Sequence, residues 1–339
     1  MERKAFGKLA DGEEATLYTI SNTKGMYAQI TDFGASIVSL VVKDKDGKNT
    51  DVVLGYENAE TYQQQMASFG AVVGRNCNRI ANAEIVIDGV TYQLEKNDNE
   101  NNLHSGSQAT SRRLWDAEEQ TADKITFVIK DAEGQQGYPG NAVMKVTYEV
   151  TEANELSITY HATADKTTIF NMTNHAYFNL CGKGKKITEH RLHIPADRIL
   201  DTTPAFIPTG KRMNVKNTPF DFTSLKPIGT DLYADHEQLL WNKGYNHCYI
   251  LKDEISVEML EAASLYEPVT GRNMTVMTDL PAVLLYTAGY YERPDTAVCL
   301  ETQFYPDTPS HSDFPSCLVL PEKAYEHCTL FHFQVQKEE

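Results

Sequence analysis

The chain has 339 residues, 41% hydrophobic and 23% charged, the balance of a soluble globular protein, which argues against both a disordered chain and a membrane protein. A formal net charge of -16 repels polyanions, and no cluster of Lys and Arg is broad enough to hold a phosphate backbone, so nucleic acid is not expected as a partner. The six cysteines, at 77, 181, 248, 299, 317 and 328, contain no Cys-x-x-Cys pair, so neither a zinc ribbon nor a small disulfide scaffold fits and free, mostly buried thiols are expected. The first residues carry no apolar run and no window reaches bilayer length, so no membrane partner and a reducing cytoplasm are expected.

From Thr16 to Leu54 short apolar runs alternate with turns, as in Ala35–Val42, Lys45-Asp-Gly47 and Val52–Leu54. This is hairpin punctuation. It recurs where Asp88-Gly89 joins two alternating segments of Ile85–Leu94, and strands are predicted again over Lys124–Lys130 and Val143–Val150. Helical periodicity is confined to short turns near Ala59–Gln65 and Asp231–Leu240, and no strand-helix alternation would build a parallel sheet. The reading is an all-β antiparallel sandwich, taken as a single domain over 1–339, with long polar loops at Lys96–Arg113 and Leu200–Lys226.

Four stretches offer chemistry. Asn171–Leu180, read as a strand, places Asn171, Thr173, His175, Tyr177 and Asn179 on a polar face and mostly apolar residues on the other. An isolated histidine there is more often a satisfied, half-buried one than a reactive one. Gly74–Ile80 crowds Arg75, Arg79, Asn76 and Asn78 before a strand, where they offer oriented donors, or where Arg75 and Arg79 merely stabilise a turn or form ion pairs. Asn101–Gly106 sets His104 in a polar loop. In Val298–Asp307, parity puts Glu301 on the side of Cys299 and Gln303; a mid-strand carboxylate is costly unless it is partnered or used. Desolvation would raise its pKa toward neutrality, where it serves as a general base, while a salt bridge to a neighbouring strand is the alternative.

One base and one or two histidines suit proton transfer between oxygens. Glycoside hydrolysis needs two carboxyl groups about 5 to 9.5 Å apart. Glu301 and Asp307 would lie roughly 20 Å apart on one strand. A metal site of His104, His175 and Glu301 has no supporting spacing.

Taken together, Gly74-Arg-x-x-Asn-Arg-Ile80, Asn102-Leu-His104, Thr173–Leu180, Gly244-Tyr-Asn-His247 and Leu300-Glu-Thr-Gln-x-x-Pro-Asp307 resemble the aldose 1-epimerase (galactose mutarotase) family in order and spacing over nearly the whole chain. The resemblance implies a large antiparallel β-sandwich of the galactose mutarotase-like (supersandwich) type, a small-molecule sugar as partner, no metal and no organic cofactor. It implies an isomerase that interconverts the α and β anomers of a free hexose or related sugar. Glu301 would be the base acting on the anomeric hydroxyl, and His175 the acid that protonates the ring oxygen, the two held across a sugar-sized gap. Asn78, Arg79, His104 and Asn246 match sugar-binding positions. Asn246 stands where the family has aspartate and Leu284 where a glutamine is common, and the rim reads Leu103-His-Ser-Gly followed by Ala109-Thr-Ser111. A lost hydroxyl partner costs about 1 to 3 kcal/mol, so a binding protein on the same fold, with turnover reduced or lost, is the alternative reading.

Overall fold

Runs of apolar residues broken by turn formers become antiparallel strands, and the computed structural model describes them over residues 2–65, 67–255 and 257–336. The first five strands, Glu2–Lys8, Glu14–Ser21, Tyr27–Thr31, Ser36–Lys43 and Asn49–Asp51, form a meander in chain order. The expected turn at Lys45–Gly47 closes the last hairpin, with Gly47 at φ 79° donating its N–H to Asp44 O and the Asp44 N–H bonding Lys48 O at 3.0 Å. Asp88-Gly89 likewise joins Glu84–Ile87 to Val90–Gln93, both residues at positive φ as a two-residue turn requires.

A nine-stranded sheet faces this meander. In spatial order it runs Asp116–Gln120, Lys124–Asp131, Ala142–Val150, Glu155–Ala164, Tyr325–Val335, Arg272–Thr278, Leu260–Tyr266, Arg191–His193 and Lys226–Pro227. Ala142–Val150 buries every second residue, the mark of a strand with one face on a core. Ile20, Ile30 and Leu40 from the meander share a continuous apolar cluster with Phe127, Val146, Ile158 and Phe331 from the large sheet. The Tyr148 hydroxyl crosses that interface to donate to Ala35 O at 2.7 Å. A third sheet carries the site: Pro208–Asn214, Arg198–Thr202, Asn246–Ile250, Ala282–Tyr286 and Cys299–Gln303, all antiparallel. Helix is scarce, as the periodicity requires; Ala59–Gln64 is capped by Asn58, whose Oδ1 accepts from Thr61 N at 2.9 Å, and Glu237–Asn242 falls within and just beyond the second predicted turn.

Three readings need correction. Leu200–Lys226 is not one loop, since Arg198–Thr202 and Pro208–Asn214 pair within it as a hairpin. Lys96–Arg113 contains the short strand Asn102–Leu103, bonded to Arg79–Ile80. Asn171–Leu180 is not a two-faced strand: only Thr173–Asn174 is a strand, and all ten residues are buried. Its asparagines are internal ties rather than a presented polar face. Asn171 Oδ1 accepts from Phe304 N at 2.9 Å, Asn174 Nδ2 donates to Gly70 O at 2.7 Å, and Asn179 Nδ2 donates to Thr296 O at 2.8 Å. The segment's own backbone is satisfied by scattered bonds to neighbouring segments rather than by one continuous ladder, Asn171 N to Arg75 O and Asn179 N to Val52 O, both at 2.8 Å, among them. The six cysteines are free, four buried and two half-buried, and no helix among the described residues is long and apolar enough to cross a membrane.

Candidate active site

Glu301 sits at the centre of Cys299–Gln303, a strand with no exposed residue. Register sets Glu301 opposite Leu284, and Leu284 opposite Cys248, so these side chains form a row across the sheet. Asn246, Tyr286 and Cys299 form the next row. Both Glu301 carboxylate oxygens are out of solvent and accept no hydrogen bond among the described residues. Burial without compensation pushes the carboxyl up from 4.5 to about 8.

His175 faces it. The Thr173–Asn174 pairing with Val72–Val73 brings the backbone past the end of Glu301's strand, and His175 N donates to Ala71 O while its carbonyl accepts from Gly70 N, both at 2.9 Å. The ring lies flat on Tyr177, with centroids 4.9 Å apart and planes 17° from parallel, and meets the edges of His104 and Tyr286. Nδ1 is 3.6 Å from Cys299 Sγ and Nε2 is 3.6 Å from Glu301 Oε1. Burial lowers the imidazole from 6.5 to about 4. The pair is therefore side by side, not separated by the sugar-sized gap expected from sequence. The reason is topological: Thr173–Asn174 pairs with Val72–Val73 while Phe178 bridges Val298, which carries His175 alongside the strand that holds Glu301.

His104 and Asn78 lock two loops together. Asn78 N donates to His104 Nδ1 at 3.1 Å, and His104 N donates to Asn78 O at 3.0 Å. A backbone N–H can only donate, so Nδ1 is the acceptor and the ring proton sits on Nε2. Both residues hold positive φ, 61° and 52°, a conformation that a non-glycine residue keeps only where its surroundings enforce it. Burial and the proximity of His175 and Arg79 keep this imidazole neutral, well below its ordinary range. Arg79 Nε donates to Asp98 at 2.7 Å, the guanidinium stacks on Phe206 at 4.8 Å, and its terminal nitrogens carry no hydrogen bond among the described residues.

A cleft of about 490 Å³ opens above these groups. All six residues expected from sequence, Glu301, His175, Asn78, Arg79, His104 and Asn246, line it, and so does Leu284. Arg75 does not. It is buried on a different side, with Nε on Asp131 at 3.1 Å and its terminal nitrogens on Pro139 O and Gly140 O, so both arginines of that motif are ion-paired, Arg75 away from the cleft and Arg79, on Asp98, at its wall. His247, beside Asn246, turns to the far face of its strand and packs on Phe220. Sequence reasoning assigned no aromatic, yet Tyr56, Tyr177, Tyr286, Tyr290 and Tyr291 all border the cleft. Only Tyr177 carried a signal, two residues from His175.

His175, Cys299 and Glu301 hold donor atoms all within 4.8 Å of one another. Cys299 thus takes the place that the sequence-based metal alternative gave to His104.

The pair's electrostatics favour a single shared proton. Burial raises the carboxyl and lowers the imidazole, so the proton of the pair rests on Glu301. Attraction across 3.6 Å in the ion pair formed by moving it to His175 opposes that preference, and a hydroxyl donating to the carboxylate adds to the opposition.

A family model described as Aldose 1-epimerase matches residues 16–332. The aldose 1-epimerase of Escherichia coli (strain K12) is 34% identical over 335 residues, covering 95% of this chain and 96% of that protein. The galactose mutarotase of Rattus norvegicus is 35% identical over 345 residues, covering 98% of each. Among solved structures, an aldose epimerase homologue from C. elegans superposes with a TM-score of 0.87 at 29% identity, covering 95% of this chain and 99% of that one. A galactose 1-epimerase from Lactobacillus acidophilus NCFM gives 0.87 at 25% identity over 99% of each chain.

Proposed function

Because the chain belongs to the aldose 1-epimerase family, isomerases that interconvert the α and β anomers of sugars, we propose that Glu301 is the base and His175 the acid of that reaction, acting on a free hexose or a related aldose. The observation that carries this reading is the buried, otherwise unpartnered Glu301 carboxylate beside His175 Nε2 on the wall of a sugar-sized cleft.

In the working form the shared proton is on Nε2 and Glu301 is anionic. The anomeric hydroxyl donates to the carboxylate, which favours that form. As Glu301 takes the hydroxyl proton, the bond from the anomeric carbon to the ring oxygen breaks, the carbonyl forms, and Nε2 delivers its proton to the ring oxygen. His104 Nε2–H and Arg79 supply further donors to the sugar oxygens. Rotation about the bond between the first two carbons turns the other aldehyde face to the ring hydroxyl. Glu301 then returns its proton to the carbonyl oxygen while His175 removes the one on the attacking hydroxyl, giving the opposite anomer. The pair carries one proton throughout, so no cofactor is required to balance the cycle. Asn78 and Asn246 complete the sugar shell, with Asn246 able both to donate and to accept.

The binding-protein alternative is not favoured, since the curated relatives are named as isomerases. The same reading gives the protein a small sugar as its partner, neither nucleic acid nor membrane, in a single domain over 1–339. Six free thiols fit a reducing cytoplasm. The test is polarimetry on freshly dissolved α-aldoses. Faster decay of optical rotation than in buffer is expected for at least one hexose, and no acceleration across hexoses, pentoses and deoxy sugars would overturn the assignment.

A further inference from the structure

Anomer interconversion uses the carboxylate and the imidazole but has no work for the Cys299 thiol. That sulfur, an imidazole nitrogen and a carboxylate oxygen nevertheless converge within 4.8 Å, on three buried residues. Nitrogen, sulfur and a single carboxylate are the donor set of zinc and its chemical relatives, not of magnesium or calcium, which want oxygen alone. The spacing is also suitable. A tetrahedral zinc bonded at about 2.1 Å to nitrogen and about 2.3 Å to sulfur holds those donors about 3.6 Å apart, which is the distance from His175 Nδ1 to Cys299 Sγ. Among the described residues Glu301 makes no hydrogen bond that would tether its carboxylate away from a third position. His175 and Glu301 both line the cleft, so an ion in solvent reaches the cluster from that side.

We propose that His175, Cys299 and Glu301 form an inhibitory site for a thiophilic divalent cation, zinc or a relative such as cobalt or cadmium. On binding, the thiol gives its proton to solvent, as does whichever of the carboxylate and imidazole holds the shared one. Metal–sulfur, metal–nitrogen and metal–oxygen bonds form, and no electron changes hands. Held by Nδ1, Cys299 Sγ and the Glu301 carboxylate, the ion takes the base out of use, so metal binding and anomer interconversion exclude each other.

The test needs no turnover, so its failure is separate from a failure of the isomerase reading. The intact protein, freed of metal by chelator and dialysis, is titrated with Co²⁺ and followed by absorption. A near-ultraviolet thiolate-to-cobalt charge-transfer band is expected together with visible bands of tetrahedral intensity, all bleached by added Zn²⁺. Cys299→Ser, with its fold checked by circular dichroism, is expected to abolish the charge-transfer band and to weaken Zn²⁺ binding by more than the roughly 100-fold that loss of a mere supporting group can cost. Absence of the band in the unaltered protein overturns the proposal, and so does a band that survives Cys299→Ser, which would place the ion on another thiol such as Cys181. If Cys299→Ser does not fold, Glu301→Gln decides: Zn²⁺ affinity at least about 10-fold weaker supports the site, and unchanged affinity overturns it.

Discussion

Replacing Glu301 by glutamine should destroy activity and stabilise the fold at the same time, with a pH dependence set by one carboxyl. In the folded protein that group binds its proton more tightly than in the unfolded chain, about 8 against 4.5. A raised carboxyl pKa weighs against the fold increasingly as pH climbs from 4.5 toward 8, and its effect is constant above that. At pH 7 the gap from 4.5 amounts to about 3 kcal/mol. Glutamine, a neutral isostere of the protonated acid, removes this term. Urea denaturation should therefore find Glu301→Gln and the parent nearly equal near pH 4.5, with the variant more stable by about 3 kcal/mol at pH 7. Activity moves the other way. The base is gone, and His175, left without its anionic neighbour and near 4, is protonated in only about one molecule in a thousand at neutrality. Polarimetry with the spontaneous rate subtracted should show kcat lower by about 10³- to 10⁴-fold. A variant less stable at pH 7, or one within about 10-fold of the parent's activity, would refute the claim that Glu301 is an uncompensated buried base.

Three further outcomes follow from the same geometry. The pH profile of the parent should be bell-shaped, since a second proton blocks the base as pH falls toward about 4 and loss of the shared proton disarms the acid above about 8; rates across pH 3 to 10 check both limbs. His104→Phe removes a donor to the sugar and leaves the Asn78 N–H unpaired, so kcat/KM should drop about 100-fold and stability by about 1 to 3 kcal/mol, read by polarimetry and by urea denaturation. Arg75→Met takes from buried Asp131 one of its two arginine partners, with Arg113 remaining, and leaves Pro139 O and Gly140 O without their donor, costing about 1 to 3 kcal/mol in denaturation while leaving kcat per folded molecule within about 3-fold, because Arg75 does not line the cleft.

Strand placement was legible where local chemistry decides it. Alternation in Val143–Val150 and the Asp88-Gly89 and Lys45–Gly47 turns needed no tertiary information, because pleat and turn act over a few residues. Leu200–Lys226 was misread because its prolines and threonines look like loop residues, although Pro208 opens a strand. At a strand's first position a missing N–H costs the ladder little.

What the sequence determined by itself was the inventory: an all-β chain, a mid-strand glutamate that needed an explanation, and the histidines, asparagines and arginine able to move or hold protons. What only the tertiary structure decided was proximity and environment. His175 and Glu301 are 126 positions apart and meet because Thr173–Asn174 pairs with Val72–Val73 while Phe178 bridges Val298 beside Glu301's strand. Arg75 and Arg79 share a motif yet part company, one buried against Asp131 and one turned to the cleft. A carboxyl's proton affinity depends on how much water and which charges surround it in space, and the chain reveals those surroundings only once it has folded.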